Sequence, residues 1–506
     1  MSSGSRTTNS IRNISANVIY QLFIILINFI SRWLFVRIFD ASYLGINGLF
    51  SNILNILSLA ELGVGGAIVY SMYKPMYDGD TKKIAALINY YHVLYNRIAI
   101  IVAVIGLVLL PFLKYFVNLD GEFQNLELYY LLYLLSTVAS YLFVYKTSVI
   151  SVAQQDYKLK IYNVFFTIIR FLLQIIVLVI FKSFLLYTIV QIIVPILNNL
   201  YISYKAEKWF PYIKDNYELD NIEKKSIWMK IKSMFFYQIG GVILNNTDNI
   251  LISSLVGTVT LGIYSNYSLI ISSVGTGVSL VFLGIHSSLG NLNASEDNEK
   301  KELVFRTLNM LGFWIYGFCV VCFCTLTQDF ITMFFGENFI IDTLTLYVAV
   351  ANFYIMGSLY PIACYRNTIG LFNDTKYIMV FASIINLVLS VFLGMKYGLI
   401  GILMATAIAR LVTNVWYEPL KLYQIYFKKS ALNYFKSQVI NLIIILVLIF
   451  LTQFCTDLIS ISNRAEAFFI KIIICVIVSN VLYFIRYKNT IEFKYMSSLI
   501  KMKLNK

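Results

Sequence analysis

The chain has 506 residues, 59% of them hydrophobic and 13% charged, with a mean hydropathy of +0.74. Soluble domains hold roughly 45–50% apolar and about 25% charged residues, so the composition excludes a soluble protein and defines an integral membrane one. The formal net charge of +14 is no mark of nucleic-acid binding here, because membrane proteins collect Lys and Arg in cytoplasmic loops; no nucleic-acid partner is expected.

The first residues, MSSGSRTTNSIRN, are polar and basic. The apolar run behind them is too long for a signal-peptide core and lacks a small-residue cleavage site, so it reads as an uncleaved first span. A span needs about 20 mostly apolar residues. Segments that qualify lie at 14–37, 43–70, 91–116, 127–150, 161–181, 184–204, 233–255, 259–287, 304–327, 342–364, 376–395, 398–420, 437–455 and 467–485. These predict about 14 transmembrane helices, all α, because open sheet edges are not tolerated in lipid. Only Lys182-Ser183 separates the fifth span from the sixth, which predicts two helices and a tight turn. Most Lys and Arg fall in alternate loops, above all 205–232 and 486–506, which places both termini in the cytoplasm. The outside loops are short, and 205–232 reads as a cytoplasmic linker between two halves.

The halves share a pattern. Tyr20-Gln21, Asn28, Leu44-Gly45-Ile46 and Ser51 return as Tyr237-Gln238, Asn245, Leu261-Gly262-Ile263 and Ser268, each displaced by 217 residues. That offset spans six helices, an even number, so the first and seventh spans run in the same direction. The repeat is parallel, with its pseudo-two-fold axis along the membrane normal. The expected divisions are an N-terminal lobe at 1–204, the linker at 205–232, a C-terminal lobe at 233–420, and two extra spans with a tail at 421–506.

Gln21, Asn28 and Arg32 are spaced to share one helix face, and Gln238, Asn245 and Asn249 do the same in the seventh span, with Asp248 close by. A polar stripe across a span faces a cavity or another helix. For Asn28 and Asn245 both readings are open, since amides also serve as helix–helix glue. For Arg32 the cavity reading is favoured, because glue does not need a fixed charge. Arg170 and Arg410 sit mid-span and cannot snorkel out, whereas Arg97 and Lys146 lie near span ends and can. Lys114, Glu418 and Lys471 also lie near span ends and call for no special role. Glu61 precedes Gly63-x-Gly65-Gly66, a break or close-packing point; pairing with Arg32 and binding of an ion or proton are both open for it.

Basic residues inside or at the edge of spans (Arg32, Arg37, Arg97, Lys146, Arg170, Arg410) outnumber the acids Glu61 and Asp248. A cavity lined this way attracts an anion, and the arginine fork matches phosphate oxygens. His92 and His286 read as interfacial, Cys319-x-x-Cys322 as core thiols, and Asp78-Gly79-Asp80 as a turn. No Walker loop, zinc cluster or catalytic triad is found in the sequence, so neither an enzyme nor a cofactor is expected.

Several short motifs in fixed order carry a resemblance. They are Arg32 with Arg37-Ile38-Phe39-Asp40, Tyr43-Leu44-Gly45-Ile46, Glu61-Leu62-Gly63, Tyr73-Lys74-Pro75, Asn245-Asn246-Thr247-Asp248, Leu261-Gly262-Ile263-Tyr264 and Tyr397-Gly398-Leu399-Ile400-Gly401. The sequence resembles Wzx-type oligosaccharide flippases of the polysaccharide-biosynthesis family, within the multidrug/oligosaccharidyl-lipid/polysaccharide exporter superfamily. The resemblance implies an all-α fold of two six-helix lobes around a central cavity, plus two C-terminal helices. It implies alternating access that carries an undecaprenyl-diphosphate-linked oligosaccharide to the outer leaflet of the bacterial cytoplasmic membrane, for capsule, O-antigen or exopolysaccharide synthesis. Arg32 then takes part in substrate handling, with Arg37 as a second candidate. Coupling to protons or sodium is also implied, with Glu61 and Asp248 as candidates, as is work beside other polysaccharide-assembly proteins. On the residues alone, Arg32, Arg170 and Arg410 suit a diphosphate, and Gln21, Asn28, Gln238, Asn245 and Asn249 suit a wet sugar. The competing reading is an ion-coupled drug or metabolite antiporter of the same superfamily. A membrane polymerase would need a substantial outside loop, which is missing here.

Overall fold

In the computed structural model the chain is all-helical, with no strand among the described residues. The structure describes residues 3–504 apart from 62, 120–122, 296–297, 370, 459–460 and 462; the side chains of Tyr237, Asn245 and His286 also lie outside the described residues. Among the described residues, eleven helices are long and apolar enough to cross a membrane. The other three expected spans, 43–70, 233–255 and 259–287, are helical as well. The first is broken into two pieces, and Gln238, Asn245, Asn246, Asp248 and Asn249 dilute the second. All three belong to the repeated pattern.

Packing divides the chain into two compact units, residues 1–262 and 263–506. The first holds α1 (Ser3–Val36), α2 (Ala41–Leu57), α3 (Val64–Asp78), α4 (Thr81–Leu109), α5 (Leu113–Phe116), α6 (Leu126–Val144), α7 (Thr147–Val152), α8 (Asp156–Ile176), α9 (Phe184–Trp209) and α10 (Asn221–Leu251). α10, which carries the seventh span, packs on α2 and α3 and so belongs to this unit by contact. α11 (Thr258–Ser295) begins at its edge. The second unit continues with α12 (Asn298–Phe334), α13 (Thr343–Ser358), α14 (Tyr360–Ile369), α15 (Phe372–Tyr397), α16 (Leu399–Val412), α17 (Asn414–Lys421), α18 (Leu432–Asp457), α19 (Arg464–Tyr487) and α20 (Ile491–Leu504).

Local chemistry sets the breaks. Lys182 takes a left-handed backbone (φ 47°) and Ser183 caps α9 through the N–H of Leu186, which makes the expected tight turn after Phe181. Gly79 (φ 73°) ends α3, and the Asp80 carboxylate accepts from the N–H of Lys83 to start α4, so Asp78-Gly79-Asp80 is a turn. α2 and α3 are separated by a tight 3-10 turn, Ser58–Glu61, and then by Gly63 at φ 86°, a conformation other residues rarely adopt. Each piece is thereby too short to span alone.

The outer faces fit lipid. On α18, Val439, Ile443, Leu446, Phe450 and Phe454 are each more than half exposed and follow one another at helical spacing. A monomeric soluble protein rarely shows so continuous an apolar stripe.

The repeat has a physical counterpart within the first unit. A methyl group on Gly45 would lie 1.9 Å from the carbonyl oxygen of Thr258, and one on Gly262 would lie 1.8 Å from that of Ala41. The offset of 217 converts 45 to 262 and 41 to 258, so the two contacts are the same contact seen from either side. The starts of α2 and α11 thus cross about a local two-fold axis, backbone against backbone. Thr258 is pinned as well: its N–H donates to the carbonyl of Asn118 (2.9 Å), and its hydroxyl accepts from the N–H of Asn118 (3.0 Å).

Candidate functional site

One constellation of mid-span polar groups in the first unit is built from five helices. α1 packs on α8, and α8 on α9. Phe35, three residues after Arg32, is buried and meets the ring of Tyr187 edge-on at 5.0 Å and that of Phe184 at 6.1 Å. This anchors the end of α1 on α9. The Tyr187 hydroxyl then falls within electrostatic range of both Arg32 and Arg170. Tyr20 on α1 is also within electrostatic range of Arg170, and its ring carries the Lys160 ammonium 4.6 Å from its centroid.

From Tyr187 the polar network continues inward. Tyr133 on α6 donates to the Asn47 side-chain oxygen on α2 at 2.6 Å and lies within hydrogen-bonding reach of Gln191, one turn beyond Tyr187. Two guanidinium groups therefore lie within electrostatic range of one phenol, backed by a relay of hydroxyls and amides. Fixed positive charge in a low-dielectric setting favours an anion, and guanidinium groups bind phosphate oxygens in pairs. Asn28, one turn before Arg32 on the same face, is exposed, and Gln21 is half-buried, so the stripe on α1 is open rather than sealed into packing. Arg37 does not join the cluster: its guanidinium lies over the ring of Trp33 at 4.0 Å.

Glu61 sits apart, in a cage of phenols. Tyr95 donates to its carboxylate at 2.6 Å, Tyr91 donates to the Tyr95 hydroxyl at 3.0 Å, and Tyr141 is in reach while donating to Ser58 at 2.9 Å. All three tyrosines are buried. Of the two readings open for Glu61, pairing with Arg32 finds no support in these contacts: its described partners are hydroxyls. The break between α2 and α3 presents the carboxylate to them.

On α10, Gln238, Asp248 and Asn249 are half-buried. Asn246 accepts from Asn55 of α2 at 3.4 Å while donating to the Val242 carbonyl at 2.8 Å, which is the glue role of a membrane amide. The side chain of Asn245 lies outside the described residues. Arg410 belongs to the second unit. It is buried on α16, three residues before the backbone breaks at Thr413. Near that break Arg366 donates to Glu418 at 2.9 Å, and Asn414 donates to the same carboxylate at 2.8 Å.

Two of the charges assigned to span ends, Lys146 and Lys471, are in ion pairs. Lys146 pairs with Glu207, which also takes Lys214 at 2.9 Å, and Lys471 pairs with Asp329 at 2.7 Å. His92 stacks on Tyr145 at 4.6 Å. Cys319 is buried, and Cys322 meets Cys475 across the α12–α19 contact. Sequence reasoning weighed ionised residues and missed Tyr187, Gln191, Tyr133 and Asn47, as well as Tyr91, Tyr95 and Tyr141. A signal was present in the spacing of Tyr187-x-x-x-Gln191 and Tyr91-x-x-x-Tyr95, each of which puts two polar groups on one face of a span.

No family model and no curated protein matches the sequence. Solved structures do share the fold. The lipid II flippase MurJ, in an inward closed conformation, superposes with a TM-score of 0.66 at 16% identity, covering 93% of this chain and 98% of that one. The Vibrio cholerae MATE transporter VcmN, in a mutant form, gives 0.59 at 12% identity over 84% of this chain and 98% of that one. A transporter of the MOP superfamily from Pyrococcus furiosus, described as having a binding pocket of reversed polarity, gives 0.58 at 12% identity, covering 84% and 97%. The chain thus shares the all-helical fold of these solved transporters. The Wzx resemblance is a finer statement than this fold makes.

Proposed function

We propose that the protein is a flippase that carries a diphosphate-linked lipid oligosaccharide across the bacterial cytoplasmic membrane by alternating access. The observation that carries the reading is the packing of α1 on α8 and α8 on α9, with Phe35 against Tyr187, which puts Arg32 and Arg170 in electrostatic range of one phenol. This is a phosphate-suited cluster on a fold that also serves a lipid II flippase. The diphosphate would engage the two arginines, and the amides at Gln21, Asn28 and Gln191 would meet sugar hydroxyls. The undecaprenyl carrier, the repeat-unit glycan of a capsule, O-antigen or exopolysaccharide, both termini in the cytoplasm, and other polysaccharide-assembly proteins as partners belong to the same proposal. Within it, Gln238, Asn245, Asn249 and Arg410 are further substrate contacts and Asp248 a second coupling candidate.

The test is export of surface glycan in a deletion strain. Arg32→Ala and Arg170→Ala should each abolish export while the protein inserts at wild-type level; Arg37→Ala should export normally. Full export by both cluster variants would remove the arginines from substrate handling. One observation favours a second reading, the ion-coupled drug or metabolite antiporter: Glu61 is a carboxylate within the helical bundle, held by hydroxyls and not by a basic partner. Under that reading the arginine variants leave glycan export intact and alter the resistance of cells to small toxic compounds instead.

A further inference from the structure

The two helices joined at Lys182-Ser183 are antiparallel and packed together, so the start of α8 and the end of α9 share one edge of the span pair. Each helix carries an exposed row leading to that edge. On α8 the row is Ile161, Phe165, Ile168 and Leu172; on α9 it is Tyr204, Leu200, Leu197 and Ile193. Both follow the three- and four-residue spacing of one helix face. At ~1.5 Å per residue each row runs about 16 Å, one leaflet's share of a ~30 Å hydrocarbon core. The two rows face the same way. Tyr162 lies one step of about 100° beyond Ile161, and Tyr201 one step beyond Leu200. Their rings meet at 5.2 Å. In antiparallel helices those steps turn toward each other, so the rows flank one seam on one outer face.

Three lysines stand at the end of this seam. Lys208 continues the α9 row one turn past Tyr204 and is exposed. Lys205 leans toward α8, its ammonium 5.3 Å from the ring centroid of Tyr201 and 6.0 Å from that of Tyr162. Lys158, one turn before Ile161, leans the other way: its ammonium lies 4.7 Å from the ring centroid of Trp209 and donates to Gln155 at 2.7 Å. None of the three has a carboxylate partner among the described residues. The acids beside them in the chain are engaged elsewhere, Glu207 by Lys146 and Lys214, and Asp156 by the hydroxyl of Ser151. An ammonium has three donors, so one amide and the ring faces leave room for a further acceptor. Ordinary snorkelling would carry each ammonium outward along its own helix; here Lys158 and Lys205 reach across the seam from opposite sides. Trp209 and the tyrosines set this edge at headgroup level.

We propose that the α8–α9 seam is a binding site for an anionic phospholipid, with its phosphate among Lys158, Lys205 and Lys208 and its acyl chains along the two rows. The charge is complementary, and the rows lie on the same face as the lysines. A free phosphate would use the lysines and leave the rows idle. A zwitterionic lipid would fill the rows but bring its own cation to the lysines. The inference is independent of what the protein carries.

The test uses the full chain, purified in detergent and titrated with mixed micelles of phosphatidylglycerol or phosphatidylcholine, with bound lipid counted by native mass spectrometry. Wild type should hold phosphatidylglycerol in preference to phosphatidylcholine. K158Q/K205Q/K208Q should weaken phosphatidylglycerol binding roughly tenfold or more, since each lysine near a headgroup contributes to the attraction. K158R/K205R/K208R keeps the charge and should bind as wild type, which separates loss of charge from loss of fold. K74Q/K82Q/K225Q removes the same charge at three exposed lysines away from the seam and should also bind as wild type. Equal retention of the two lipids by wild type overturns the site. So does wild-type binding by the seam glutamine variant, or an equal loss in the two glutamine variants. Displacement of the lipid by inorganic phosphate at equal concentration overturns the assignment to a lipid.

Discussion

Substituting Gly45 by alanine tests the two-fold crossing directly. The new methyl carbon would sit 1.9 Å from the Thr258 carbonyl oxygen. Even close C–H···O contacts need roughly 3.3 Å, so the helices must part locally by about 1.4 Å. The obstacle is backbone, which cannot rotate aside as a side chain does. Overpacking of this kind costs about 1–3 kcal/mol, occasionally more. Alanine in place of glycine returns about 0.5–1 kcal/mol of helix stability, leaving a net loss near 1–2 kcal/mol. Gly48 supplies the control. It lies one turn away on the same helix, and a methyl there would meet only the Leu261 side chain, at 3.9 Å. Gly48→Ala should therefore be neutral or slightly stabilising. Apparent melting in detergent, followed by size-exclusion fluorescence, should rank Gly45→Ala clearly below wild type and Gly48→Ala at or above it. Gly262→Ala should match Gly45→Ala, because the contact is mirrored. Equal melting of the Gly45 and Gly48 variants would refute the crossing.

Three further outcomes can be measured. Glu61→Gln keeps an acceptor for Tyr95 but cannot titrate, so transport driven by a proton gradient should be lost while substrate counterflow persists; an unchanged response to the gradient removes Glu61 from coupling. The Arg366–Glu418 pair has side chains only 12% and 4% exposed, so Glu418→Gln should destabilise by about 3 kcal/mol or more, against about 0.5–1 kcal/mol for Glu207→Gln at a more open pair; comparable losses in denaturant titration would contradict the burial argument. Asp342, in the loop ahead of α13, is pushed up by burial, but hydrogen bonds from Thr345 and Leu344 outweigh this and hold its carboxyl below the usual range. Its folded pKa is depressed, so its stabilisation is complete above the unfolded value of about 3.9 and is lost as pH falls through the folded one. Asp342→Ala should thus cost about 1 kcal/mol at neutral pH, with the deficit to wild type closing only in strong acid; a deficit independent of pH would sink the capping account.

Much of the architecture was legible from periodicity and composition. The membrane class follows from the scarcity of charge, because a span that cannot hydrogen-bond to water must be helical and apolar. The Lys182-Ser183 turn was readable because two full-length spans abutted with only a polar dipeptide between them. The break at Glu61–Gly63 was visible as a glycine cluster, though not that it leaves two pieces each too short to span. The arginine cluster was half legible. Arg32 and Arg170 stand out as charges where lipid forbids them, but nothing in the letters links them to one phenol.

What the sequence determined by itself was therefore the local and the repeated: helices, their order, the internal repeat, and the residues that do not belong in lipid. Each depends on the medium or on neighbours along one helix, which is information a linear string carries. Only the tertiary structure decided partners. It set Gly45 against Thr258 and Gly262 against Ala41, placed α10 with the first unit, gave Glu61 to tyrosines rather than to Arg32, and gathered Arg32 and Arg170 at Tyr187. Those outcomes depend on which helix faces meet. Faces of similar apolar character can meet in many ways, and close packing selects one of them.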